Sequence, residues 1–185
     1  MNTFIIDNFI NDVHFSKEFY EYIQKGELKT SFNNIASPGK PIDGFTSSLS
    51  QNNFHIPFIY DLYKKVNELH EQHFQGTNSQ VARWHLNLHP TGYDGHHHTD
   101  YDTEDLPTYL YMSTVNWNPQ WGGEFLVYDE NSEIKEAYSY RTDRLIVFNG
   151  RFLHRGVAAL RVSNLLRTTV AFQCKLYNKE KTTND

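Results

Sequence analysis

From Ser79 to Leu176, apolar and polar residues alternate in short runs broken by turn residues. This is the pattern of strands that pack one face and free the other. Candidate strands are Gln80–His89, His96–Asp100, Thr108–Asn116, Glu124–Tyr128, Glu136–Tyr140, Arg144–Phe148, His154–Val157 and Leu166–Lys175. Eight short strands at this spacing predict a jelly roll. The front of the chain reads differently. "TFIIDNF" predicts a short strand, and "SKEFYEYIQKG" a helix capped at Ser16 and stopped at Gly26. The stretch from Phe32 to Gln51 has no clear period and is rich in Gly, Pro and Ser, so an ordered loop or a lid is expected there. In "PFIYDLYKKVNELHEQHF", Ile59, Leu62, Val66 and Leu69 recur at intervals of three and four, predicting a helix that backs onto the sheet. The expected fold is mainly β with N-terminal helices, a jelly-roll, cupin-like core backed by those helices. It forms one domain over 1–185: helical and loop support in 1–78, the β core in 79–177 and a polar, frayed tail in 178–185.

Composition narrows the function classes. The 185 residues are 38% hydrophobic, enough for one domain with a core, and the 12 Tyr and 13 Phe suit a β interior. Net charge is -5 with no basic run, which argues against a nucleic-acid partner. No segment is long and apolar enough for a membrane span, and the opening residues lack the basic start of a secretory signal. The one cysteine, Cys174, excludes an internal disulfide and a cysteine-rich zinc module, so a soluble, cytoplasmic protein is expected.

Candidate chemistry begins at "GHHHTDYDTED". In an extended segment His98 and Asp100 point to one face, where imidazole nitrogen and carboxylate oxygen can share a first-row divalent metal. An HxD triplet alone does not separate a ligand pair from loop decoration. His154, following a buried-looking strand and a Gly turn, is the candidate third ligand. His96 shares the face of His98, His97 is read as exposed, and His14, His55, His70 and His73 as solvated surface. In "LLRTTVAFQC", Arg167 and Thr169 share a face and could fork a carboxylate, or Arg167 could sit outside paired with an acid. Tyr109, Tyr111 and Ser113 share a face opposite Leu110 and Met112, and a phenol beside the arginine would complete a carboxylate pocket. Along Gln80–His89, Arg83, His85, Asn87 and His89 alternate with Trp84, Leu86 and Leu88; the polar parity lines a cavity or faces water.

Taken together, "HTD" at His98–Asp100, "LYMSTVNWNPQWGGEF" at Leu110–Phe125, "RLIVFNGRFLHRGV" at Arg144–Val157 and "RTTVAF" at Arg167–Phe172 resemble the Fe(II)/2-oxoglutarate-dependent oxygenases, and among them the prolyl-4-hydroxylase group. The resemblance covers about half the chain and implies a double-stranded β-helix in which His98, Asp100 and His154 hold Fe(II). It implies that Arg167, helped by Thr169 and Tyr111, binds the far carboxylate of 2-oxoglutarate, with Arg161 as substitute anchor because the spacing from His154 is slightly long. His89 stands, three residues before Gly92, where that family often has Tyr, and is counted with the cosubstrate residues. The "WGGEF" turn is expected to be architectural. The cofactor set implied is Fe(II), with 2-oxoglutarate and O2 as cosubstrates and ascorbate admitted beside them. The reaction implied is hydroxylation of a prolyl residue in a peptide or protein, releasing succinate and CO2. A free amino acid or other small molecule is the alternative substrate, and a non-catalytic metal- or carboxylate-binding β-helix the alternative class. Asp100 favours hydroxylation, since related halogenases lack that carboxylate.

Overall fold

The computed structural model describes residues 1–26, 31–32 and 45–177. Among these residues ten strands and two α-helices follow in the order β1 (Phe4–Ile6), α1 (Val13–Gln24), β2 (Ser31–Phe32), β3 (Phe45–Leu49), α2 (Pro57–His73), β4 (Ser79–His89), β5 (Pro107–Met112), β6 (Phe125–Tyr128), β7 (Ile134–Tyr138), β8 (Arg144–Asn149), β9 (His154–Gly156) and β10 (Arg167–Leu176). They form a seven-stranded sheet, β1-β8-β5-β10-β4-β3-β2, and a three-stranded sheet, β7-β6-β9. Every pairing is antiparallel. This is the expected jelly roll backed by helices.

The two-residue period of the strands sorts side chains onto two cores. Leu110, Met112, Ile146, Phe148 and Ala171 of the large sheet meet Phe125 and Val127 of the small one inside the roll. The alternate residues Tyr109, Tyr111, Leu145, Val147, Val170 and Phe172 face the other way, against Phe15 and Phe19 of α1 and Ile59, Leu62 and Val66 of α2. The helices are therefore the outer wall of the large sheet, and the inner wall is left for chemistry.

Some expectations are corrected. Helix α1 is capped by Asp12, whose carboxylate accepts from the His14 and Phe15 amides at 2.8 and 3.2 Å. Ser16 lies inside the helix and only 5% exposed, because an aspartate placed to satisfy two free amides starts the helix a turn earlier. The stretch expected as a loop from Phe32 contains β3, which pairs with β4. Its Ser-rich alternation is too short to stand out in sequence; residues 33–44 of that stretch, and the tail expected to fray at 178–185, lie outside the described residues. His70, read as solvated, is only 3% exposed. Its Nδ1 lies 2.8 Å from the Tyr109 hydroxyl and its Nε2 3.1 Å from the Ser79 carbonyl. Among the described residues no helix is long and apolar enough to cross a membrane.

Candidate metal centre

His96–Asp100 is not a strand. The segment touches β9 through a single antiparallel bridge, His98 with His154. The two residues exchange backbone hydrogen bonds, His98 N to His154 O at 3.0 Å and His154 N to His98 O at 2.9 Å. The same segment is tied at both ends, Gly95 N to Gly156 O at 2.8 Å and Asp100 N to Gly150 O at 2.7 Å. A bridged pair puts both side chains on one side of the ladder. The imidazole centroids consequently lie 4.3 Å apart, although the residues are far apart in sequence.

Asp100 completes the group. Its Oδ1 is 3.9 Å from His98 Nε2 and its Oδ2 is 3.8 Å from His154 Nε2. One ligand atom from each of the three residues lies within 4.8 Å of the others, so they can share a single ion. The imidazoles are turned for it. His98 Nδ1 is 2.8 Å from the His96 carbonyl and His154 Nδ1 is 2.7 Å from the Phe152 carbonyl. A carbonyl only accepts, so each Nδ1 carries the proton and each Nε2 presents its lone pair to the centre. Burial pulls the His154 pKa down, against the upward pull of Asp100, which favours the neutral ring that ligation requires. Two His and one carboxylate leave other coordination positions open, as non-haem iron chemistry needs.

Deeper in the roll lies Arg167, 1% exposed. Its Nε donates to the Gly123 carbonyl at 2.9 Å and its guanidinium sits 5.2 Å from the Tyr140 ring centroid. Its Nη2 is buried with no hydrogen-bond partner among the described residues, and burial pulls its pKa down to about 10. A buried guanidinium with a free donor is completed by an anion. His89 pairs across the sheet with Arg167, its pKa lowered to about 3 by burial and the adjoining guanidinium, and its Nδ1 is likewise without a partner. Thr169 is buried on the same face, opposite Asn87 and Met112.

Arg161 lies exposed in the turn before β10, so of the two arginines the fold brings only Arg167 inside. Tyr111 is a correction. It is fully buried, but on the helix side of the large sheet, where its hydroxyl donates to Asp143 Oδ1 at 3.1 Å. The parity that carries Arg167 inward on β10 is shared by Leu110 and Met112 on β5, which leaves Tyr111 facing the other way. The "WGGEF" turn does more than connect strands, since the Gly123 carbonyl orients Arg167. Thr108 and Gln173, which donate to Asp100 at 2.7 and 2.6 Å, were not singled out in the sequence. Their signal was present, because Thr108 shares parity with Leu110 and Gln173 with Arg167.

No family model and no curated protein matches the sequence. Solved structures do match its fold. A prolyl hydroxylase from Trichoplax adhaerens, in complex with a hypoxia-inducible-factor peptide fragment, superposes at TM-score 0.72 with 18% identity, covering 93% of this chain and 82% of that one. A prolyl-4-hydroxylase from Pseudomonas putida gives TM-score 0.73 at 14% identity, covering 95% and 93%. A viral collagen prolyl hydroxylase from Paramecium bursaria Chlorella virus-1, solved with 2-oxoglutarate, gives TM-score 0.68 at 14% identity, covering 96% and 97%.

Proposed function

We propose that this chain is an Fe(II)- and 2-oxoglutarate-dependent dioxygenase that hydroxylates an unactivated C–H bond, with a prolyl residue of a peptide or protein as its substrate. The observation that carries the reading is the meeting of both parts of such a site inside the roll: His98, Asp100 and His154 together, and the buried Arg167 guanidinium with a free Nη2, packed against Gly156 two residues beyond His154. The shared fold with prolyl hydroxylases supports it.

In this reading His98 and His154 offer Nε2 and Asp100 a carboxylate oxygen to Fe(II). Fe(II) held there would supply, with 2-oxoglutarate and O2, the oxidising chemistry for a C–H bond, with succinate and CO2 as the products of the keto acid. Arg167 Nη2 grips the far carboxylate, and the Gly123 carbonyl and Tyr140 ring keep the guanidinium aimed. His89, neutral beside it, adds a nitrogen on the same side. The apolar residues Leu110, Met112, Phe125 and Ile146 keep the cavity dry, which strengthens the ion pair at Arg167. The peptide half of the proposal is supported by the peptide carried in the Trichoplax structure. A small polar molecule as substrate is favoured by one feature of the wall, the row Asn87 and His85 on β4.

The test is anaerobic addition of Fe(II) and 2-oxoglutarate, followed by succinate release in air against proline-containing peptides and free amino acids. A visible charge-transfer band and slow succinate formation are expected before any substrate is supplied, and faster release with the right one. A folded protein giving neither band nor succinate would leave only a binding module.

A further inference from the structure

The three residues of the triad are not held in the same way. Each histidine is oriented locally, by the carbonyl two residues before it. Asp100 has no such neighbour. Its backbone rides on a segment outside both sheets, yet both carboxylate oxygens are engaged by side chains from the large sheet: Thr108 Oγ1 to Oδ2 at 2.7 Å and Gln173 Nε2 to Oδ1 at 2.6 Å. Thr108 and Gln173 are direct cross-strand partners on β5 and β10. They form a two-pronged fork on rigid elements, one donor per oxygen, while each oxygen also faces one imidazole.

We infer that Thr108 and Gln173 are positioning residues that fix the plane of the Asp100 carboxylate, so that the metal meets one preset oxygen arrangement instead of a freely turning group. This rests on the reading of the triad as a metal site. Two donors with short, charge-assisted contacts, one on each oxygen, oppose rotation about the Cβ–Cγ bond. Without them the carboxylate must be ordered at the moment of binding. Loss of partners that orient a ligand costs about 10–100-fold in metal affinity. Gly150 and Tyr101 show how closely the fork is packed. A Cβ at Gly150 would lie 2.8 Å from Thr108 Oγ1 and 2.5 Å from the Tyr101 ring, and the Tyr101 hydroxyl receives the Cys174 amide beside Gln173.

The experiment titrates Co(II) anaerobically into the metal-free protein and follows its ligand-field absorption. Thr108→Val keeps the shape and removes the donor, Thr108→Ser keeps the donor, and Gln173→Met removes the second prong from a partly exposed position, where folding is safest. The expected result is about 10–100-fold weaker binding with an altered spectrum for Thr108→Val and Gln173→Met, and wild-type affinity and spectrum for Thr108→Ser. Wild-type affinity and spectrum in folded Thr108→Val and Gln173→Met would overturn the inference while the metal reading stands. Equal weakening in Thr108→Ser and Thr108→Val would also overturn it. A wild type that takes up no Co(II) would overturn both.

Discussion

Gly156→Ala isolates the anion end of the cavity from the metal end. Gly156 lies on β9 two residues beyond His154, and a Cβ there would stand 3.1 Å from both Nη1 and Nη2 of Arg167 and 3.3 Å from Cζ. Carbon and nitrogen rest comfortably at about 3.5 Å, so the guanidinium must retreat by roughly half an ångström. It has little room, because Nε is tied to the Gly123 carbonyl at 2.9 Å and the plane is flanked by Tyr140. A displacement of that size spoils part of one charge-assisted hydrogen bond, worth about 1–2 kcal/mol of its ~1.5–3. That corresponds to roughly 5–30-fold weaker 2-oxoglutarate binding. The assay is an anaerobic 2-oxoglutarate titration of the Fe(II) protein by its visible band, with Co(II) affinity measured in parallel. Weaker 2-oxoglutarate binding with unchanged Co(II) affinity is expected. A folded variant that binds 2-oxoglutarate like the wild type, or loses metal and 2-oxoglutarate in the same proportion, would refute the assignment of Arg167.

Two further outcomes follow from the same geometry. Tyr111→Phe removes the hydroxyl bonded to Asp143, which keeps the Ile10 and Asn11 amides at 2.9 and 2.8 Å. About 1 kcal/mol of stability should be lost in urea denaturation, with 2-oxoglutarate affinity unchanged; a large loss of affinity would restore Tyr111 to the cavity. The pH dependence of stability has a definite sign. Burial first, then neighbouring charge, lowers His85 to about 4 and His89 to about 3 from 6.5, so between these values the unfolded chain takes up protons that the fold refuses. Their contribution is present in full above 6.5 and is lost as pH falls through about 4 and then 3. The urea midpoint of the metal-free protein should be lower at about pH 5 than above about pH 7, and the slope shallower in His85→Gln; a midpoint that rises on acidification would contradict it.

Period was the most legible property of the chain. Alternation in β4, β5 and β10 placed those strands and separated the packed from the polar parity, because a residue buried on one side of a pleat leaves a two-residue trace. What alternation does not encode is which side of the sheet the helices cover. Tyr111, which the family resemblance implies beside the cosubstrate, accordingly packs on the helix side, while Arg167 and Thr169 on β10 share the inward face. The geometry of His98, Asp100 and His154 depends on a single bridge between distant segments, which leaves no local period; only the residue types pointed there. His70 carries a helical signal of burial. It follows Val66 by four residues on the face of α2 that Ile59, Leu62 and Val66 bury, so helical spacing alone places it inside.

The strand β10 carries two messages in one run of backbone. Thr168, Val170, Phe172 and Cys174 point away from the cavity, and Arg167, Thr169, Ala171 and Gln173 point into it. The first series packs against the helices, and the second turns Arg167 and Gln173 toward the interior of the roll. A substitution on β10 therefore reaches either the helix-backed core or the interior of the roll according to its parity alone.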